Sequence, residues 1–237
     1  MSRAEEYWNA IHLDTIRNTF QSSSTNIKTP PLPFLKQMLP RLRKGKALDI
    51  GMGLGQNALF LASNGFQVKG LDFSTKATEF VTKQATEQNL SLEIKKADLD
   101  LYVFGLMEYD TVIMTYFKPS ISRYYSEIIR TLKQGGTVLA ESYLIEEQKE
   151  AIGQDEIHKD YYYKSNELIQ NFKGMQILFY NESIDNGRHV VQLLARKPLD
   201  KDVAKYNLFN MQSDATSPKK EDHKSAQLRM AEALFKK

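Results

Sequence analysis

Apolar residues recur along this chain with two different periods, and the switches between them mark out its elements. Residues 4–20 carry Tyr7, Trp8, Ile11, Ile16 and Phe20 at helical spacing, which predicts an amphipathic helix. The stretch SSSTNIKTPPLP that follows is rich in Ser, Thr and Pro and predicts a loop or extended linker. Phe34 to Leu42 then reads as a short helix, closed by the basic run Arg41 to Lys46. From Ala47 a strand, glycine turn and helix recur. ALDI, FQVKGLD, LEIKKAD, DTVIMTY and TVLAESYL read as strands. QNALFLASNG, Thr75 to about Gln88, and the stretch ending in IIRTLKQGG read as the helices between them. Strands alternating with helices imply a parallel sheet with right-handed crossovers. A helix over 165–172 comes next, and then the pattern changes. MQILFYNES and RHVVQLLAR flank Ile184-Asp185-Asn186-Gly187, and Asn-Gly between strand-like runs is a hairpin signal. The expected fold is therefore α/β: a seven-stranded, mostly parallel sheet ending in an antiparallel hairpin. No repeat of 20–50 residues is evident.

Past Pro198 the chain turns polar; 199–224 reads as largely flexible, and Ser213 to Ser225 has too little apolar content to form a packed unit. AQLRMAEALFKK restores an apolar stripe of Leu228, Ala231, Leu234 and Phe235, which suits a surface helix or a contact with a membrane or partner. The expected organisation is N-terminal helices and linker over 1–45, a ligand-binding α/β domain over 46–197, and a tail over 198–237.

The segment that carries chemistry is Leu48-Asp49-Ile50-Gly51-Met52-Gly53-Leu54-Gly55. Three glycines at alternating positions directly after a buried strand let the backbone pass close to a ligand, and the helix starting near Gln56 presents free N–H groups there. Asp49 sits at the strand end, a costly place for a carboxylate without a partner; an aminoacyl ammonium would supply one. Asp72 ends the next strand, where a carboxylate can accept hydrogen bonds from both ribose hydroxyls. Asp98 ends the third, within reach of an adenine amino group. Each acid alone could be a helix N-cap, and Asp72 before FSTK is a candidate for that role. Three acids at three successive strand ends form one crevice. A nicotinamide dehydrogenase is the main rival. Dinucleotide folds usually show GxGxxG, and a carboxylate just before the first glycine would repel their pyrophosphate. Here the spacing is GxGxG with Asp49 in front, which favours a donor bearing an ammonium group and no phosphate.

GKALDIGMGLGQNALFLASNGFQVKGLDFS resembles the signature of class I S-adenosylmethionine-dependent methyltransferases, and specifically the tellurite-resistance type of small-molecule methyltransferase. LKQGGTVLAESYL is similar to that family's fifth-strand segment, and the 175–196 hairpin to its terminal antiparallel pair. In place of the family's typical Arg-Asn after the turn stands Gln56-Asn57, and Met52 stands where cysteine is common. The resemblance implies a Rossmann-like three-layer sandwich, with S-adenosylmethionine as donor and S-adenosylhomocysteine as product. It implies donor contacts from Asp49, Gly51, Met52, Gly53, Gly55, Asn57, Asp72, Phe73, Asp98, Leu99 and Thr115.

The acceptor should meet the methyl group near the end of the fourth strand, Thr115-Tyr116-Phe117-Lys118-Pro119. Tyr116 is the candidate positioning residue. Trp8, Tyr116, Tyr143, His158 and Tyr162 are candidates for lining the acceptor pocket, although the tyrosines at 161–163 equally suit packing on the sheet, and Trp8 equally suits a lid or the core. An Asn/Asp-Pro-Pro-aromatic run at the fourth-strand end, used to accept amino protons of flipped bases, does not occur, which counts against nucleic-acid amines as acceptor.

The chain has 237 residues, no cysteine and a net charge of +3, so disulfides and cysteine–zinc sites are excluded and no anionic partner is called for. Histidines 12, 158, 189 and 223 form no HxxxH pair, and Thr115 with Glu141 make a poor start for a metal, so none is expected. No stretch approaches a membrane span, and the start, MSRAEEYWNA, does not read as a secretory signal. These features give the expectation of a cytoplasmic monomer or homodimer acting on a small molecule. A protein or RNA methyltransferase using the tail, and a donor-binding protein without turnover, are the other readings.

Overall fold

Among the described residues one seven-stranded sheet forms, with helices on both faces. A computed structural model describes residues 3–22, 30–99, 101–145, 162–185 and 187–199. The chain divides into a unit of Met1–Pro198 and a second of Leu199–Lys237; the predicted tail helix, and His158, fall outside the described residues.

The strands are β1 (Lys46–Ile50), β2 (Gln67–Asp72), β3 (Leu92–Lys96), β4 (Tyr109–Thr115), β5 (Leu132–Tyr143), β6 (Gln176–Asp185) and β7 (Arg188–Arg196), in the sheet order β3-β2-β1-β4-β5-β7-β6. The first five run parallel, while β7 pairs antiparallel with both β5 and β6. Strand order reverses between β1 and β4, and ligands of open α/β sheets bind outside the carboxyl ends at such a point. The helices are α1 (Arg3–Ser22), α2 (Pro33–Met38) continued by a 3₁₀ turn (Leu39–Arg41), α3 (Gln56–Ser63), α4 (Thr75–Glu87), α5 (Arg123–Thr131) and α6 (Glu167–Asn171).

Each central strand is buried on both faces, so alternate residues feed two cores. Leu48, Ile50, Val112, Met114, Val138 and Ala140 pack under Tyr125, Ile128 and Phe172. Ala47, Val68, Ile113, Leu139 and Leu194 pack under Phe34, Leu35, Ala58 and Leu61. Asp49 follows Ala47 by two and therefore shares this second face. Asp185 pairs with Arg188 at the end of the antiparallel β6–β7 pair, the hairpin that the sequence predicts.

Two boundaries differ from expectation. LKQGG is strand, not the end of a helix: α5 stops at Thr131, and Leu132 pairs with Tyr109 as β5 begins. The amide of Gly135 and the carbonyl of Gly136 exchange hydrogen bonds with Lys197, so pairing across the sheet overrides the local helical pattern. β3 also ends at Lys96, which places Asp98 in the turn two residues beyond it.

Candidate functional site

The glycine turn between β1 and α3 is held against β2 by backbone bonds. The amides of Gly51 and Met52 both donate to the Leu71 carbonyl, at 2.9 and 3.0 Å, and the Gly55 amide to Met52. Gly53 and Gly55 lie in the left-handed region, at φ 53° and 74°. Their reasons differ. A Cβ at Gly55 would stand 2.6 Å from Val81 Cγ2, so this glycine lets α4 pack against the turn. Among the described residues a Cβ at Gly53 would meet His12 Nε2 at 3.9 Å, an ordinary contact, so packing does not demand this glycine and the side of the turn beside α1 has room for a side chain.

Asp49 lies beneath that turn with no accessible surface, and neither carboxylate oxygen has a hydrogen-bond partner of normal geometry. Burial, reinforced by the nearby Asp72 charge, pushes its carboxyl up to about 8; the Ala58 amide offsets only part of this. Asp72 is buried but well held: Oδ2 accepts from the Gly53 amide at 2.9 Å and Oδ1 from the Ser74 amide at 2.8 Å. Ser74, not Asp72, caps α4, its hydroxyl accepting from the Ala77 amide. One carboxylate is thus fixed in place, and its neighbour is buried with only partial compensation.

Along the same face, the carboxyl edge continues with a polar row. Thr115 pairs with Glu141, Glu141 with Gln192, and Gln192 with Asn181, across β4, β5, β7 and β6. Glu141 is only 4% exposed, and its oxygens accept from Tyr116 Oη at 2.6 Å and Gln192 Nε2 at 2.8 Å. Tyr116 follows β4 directly and adopts φ 52°, a conformation that costs a non-glycine residue about 1–3 kcal/mol. Its amide donates to the Glu141 carbonyl at 2.7 Å, so β5 holds it at both ends. Burial and Glu141 raise its phenol far above the ordinary value. Its ring lies 4.6 Å from that of Tyr143, which meets Tyr162 edge-on at 5.6 Å. Arg188 lies over Tyr143 and donates to its hydroxyl.

This edge adjoins the glycine turn. Asn57, in the first turn of α3, donates to Thr115 Oγ1 at 3.1 Å and accepts from the Leu32 amide at 3.0 Å. A Cβ on Gly51 would sit 3.2 Å from Phe117 Cβ. Residues 115 and 117 therefore both touch the β1–α3 connection, with Tyr116 between them.

The first helix closes the other side. Glu5 accepts from Thr75 Oγ1 at 3.0 Å and from Lys96 Nζ at 2.5 Å. Asn9 accepts from Ser74 Oγ and the Lys76 amide, and His12 Nδ1 lies 3.1 Å from Ser74 Oγ. These three occupy one face of α1 at i, i+4 and i+7. Trp8 stacks beside His12 with ring centroids 5.9 Å apart.

Of the residues singled out from sequence, Asp49, Gly51, Met52, Gly53, Gly55, Asn57, Asp72 and Thr115 gather at or beside the turn, and Phe73 follows Asp72 in the β2–α4 connection. Leu99 is buried and Asp98 exposed in the turn after β3. Tyr116, Tyr143 and Tyr162 form one cluster, whereas Tyr163 is fully buried against Tyr125. Sequence reasoning did not single out Gln192, Arg188, Asn9 or His12 for this site, and considered Glu141 only as a metal ligand. Among the described residues no group of three or more His, Asp or Glu is placed to hold a metal, and no helix is long and apolar enough to cross a membrane.

Residues 47–136 match the family model of a methyltransferase domain. The chain is similar to a probable S-adenosyl-L-methionine-dependent methyltransferase, TehB, of Haemophilus influenzae: 25% identical over 169 residues, covering 64% of this chain and 57% of that protein. It thus spans little more than half the length of that relative. The crystal structure of TehB from H. influenzae superposes with a TM-score of 0.63 at 20% identity, covering 75% of this chain and 65% of the other. The [4+2]-cyclase SpnF superposes with a TM-score of 0.64 at 16% identity, covering 83% of this chain and 96% of the other. The fold is the Rossmann-like methyltransferase fold with its antiparallel terminal pair, and the resemblance to the tellurite-resistance type holds. Because one neighbour of this fold is a cyclase, the fold alone does not decide the activity; the site must.

Proposed function

We propose that this chain, with its class I methyltransferase fold, binds S-adenosylmethionine and transfers the methyl group to a small-molecule acceptor. The observation that carries the donor reading is Asp49: an acid with no accessible surface and, among the described residues, no hydrogen-bond partner of normal geometry, under a glycine turn where a Cβ at Gly53 would meet His12 at no less than 3.9 Å. A buried acid in this state destabilises the fold, and a ligand ammonium group compensates it. A pyrophosphate there would instead meet the Asp72 carboxylate and make ionisation of Asp49 costlier still.

The residues present fit the donor. Asp49 takes the ammonium end, and the backbone of Gly51, Met52, Gly53 and Gly55, with Asn57 and Thr115, borders the aminoacyl part. Asp72 takes ribose hydroxyls, its oxygens keeping lone pairs beyond those used by Gly53 and Ser74. Phe73, Asp98 and Leu99 flank the base. The donor supplies an already activated methyl group, so the protein's part is positioning and exclusion of water.

Tyr116 is the residue best placed to orient the acceptor. Its hydroxyl hydrogen is committed to Glu141, which leaves the phenol oxygen as an acceptor of hydrogen bonds. An amine, hydroxyl or thiol that donates its proton there turns a lone pair elsewhere. Tyr143 and Tyr162 supply apolar walls, and Trp8 stands on the donor side with α1. The resemblance of the turn and fifth-strand segments to small-molecule methyltransferases supports a small-molecule acceptor.

The test is incubation of the protein with methyl-labelled donor and a cell extract split into small-molecule, protein and RNA fractions. Label in the small-molecule fraction alone is expected. Label confined to protein or RNA would overturn the acceptor reading and leave the donor reading standing.

A further inference from the structure

The hydrogen bonds around Ser74 fix the state of a histidine that the reading so far leaves without a task. Asn9 Oδ1 accepts from the Lys76 amide at 3.2 Å, so the same atom must also accept from Ser74 Oγ, 2.7 Å away. Ser74 thereby spends its only hydrogen. One of its lone pairs takes the Ala77 amide at 3.1 Å, and the other faces His12 Nδ1 at 3.1 Å. His12 Nδ1 must carry the proton to make that bond. Burial holds the imidazole below the ordinary histidine value although Asp72 pulls it up, so the neutral ring is the state at pH 7. In that tautomer Nε2 is a bare acceptor, and it has no hydrogen-bond partner among the described residues. It stands 3.9 Å from where a Cβ on Gly53 would be, while the Gly53 amide is bound to Asp72. His12 Nε2 and the Asp72 carboxylate therefore flank the same glycine from α1 and β2.

We infer that His12 is a donor-binding residue whose Nε2 accepts a hydrogen bond from one ribose hydroxyl of the nucleoside, beside Asp72. The inference rests on the donor reading above and goes beyond it. It gives α1 a direct share in ligand recognition, where the helix would otherwise be only a cover. Two acceptors set against two adjacent hydroxyls also select a nucleoside with both hydroxyls present. The anchoring of α1 is built for this register, since Glu5 and Asn9 pin the preceding two turns to Thr75, Lys96 and the first turn of α4.

The experiment is calorimetric titration at pH 7.5 of S-adenosylhomocysteine and its 2′-deoxy and 3′-deoxy analogues into wild type, His12→Ala and His12→Gln. One neutral hydrogen bond corresponds to roughly 3- to 10-fold in affinity. We expect His12→Ala to bind S-adenosylhomocysteine that much more weakly, and His12→Gln, whose Oε1 can replace Nε2, to recover part of the loss. For one of the two deoxy analogues, wild type and His12→Ala should bind equally. Unchanged affinity of His12→Ala, or an equal loss for all three ligands, would overturn the inference; the second result would make His12 only an anchor of α1. Failure of wild type to bind S-adenosylhomocysteine would overturn the donor reading itself, a result distinct from either.

Discussion

Replacing Asp49 by Asn should stabilise the free protein and weaken its hold on the donor, and the first effect should grow with pH. The carboxyl titrates near 8 in the folded chain against 3.8 when unperturbed. Below pH 4 the residue is protonated in both the folded and unfolded chain and costs nothing extra. Between about 4 and 8 the native state keeps a proton that the unfolded state has lost, so stability falls as pH rises, by about 1.4 kcal/mol per pH unit. Above 8 both states are ionised and the cost is constant. Asn, of nearly the same shape, has no such dependence. At pH 7 the span from 3.8 is roughly 3 units, so the variant should exceed wild type by about 4 kcal/mol relative to their difference at pH 4. Urea unfolding of both proteins from pH 4 to 8.5 measures this as a widening gap in midpoint at constant slope. Parallel curves with a fixed offset would mean that Asp49 titrates normally, and the argument from an uncompensated acid would fail.

Gly55→Ala should destabilise the fold by about 3 kcal/mol, because it combines a left-handed backbone with a Cβ pressed onto Val81 at 2.6 Å; thermal unfolding reads it, and a neutral result would deny the packing of α4 on the turn. Tyr116→Phe should leave S-adenosylhomocysteine affinity within about twofold while turnover of whichever acceptor is found drops roughly 100-fold through lost positioning. Leaving Glu141 Oε1 without its Tyr116 donor should also cost that variant about 1–3 kcal/mol of stability. A parallel loss of donor affinity would place Tyr116 on the donor side instead.

The fold was legible because its signals are local. Short buried apolar runs gave the strands, glycines gave the first turn, and Asn-Gly gave the hairpin. The acids were legible for a related reason: a carboxylate at the end of an apolar run stands out. Asp98 was misplaced by two residues because β3 is an edge strand with half-exposed positions, whose pattern does not mark its end. LKQGG was misread because its strand character comes from Tyr109 and Lys197, not from its own residues. The Tyr116–Glu141–Gln192 contacts depend on register across strands, with Gln192 and Glu141 51 positions apart, and no local pattern announces them. His12 reaches Ser74 over 62 positions. Its one signal was the polar stripe Glu5, Asn9, His12, which looks the same as a solvated helix face.

The most direct test of the donor reading is titration of S-adenosylhomocysteine into the wild-type protein at pH 7 in two buffers of different ionisation enthalpy. Asp49 is mostly protonated in the free protein at that pH and must ionise to pair with the ligand ammonium. The account predicts binding at one site per chain with release of about one proton, and affinity rising roughly 50-fold from pH 6 to pH 8. No binding, or binding with neither proton release nor pH dependence, would contradict it.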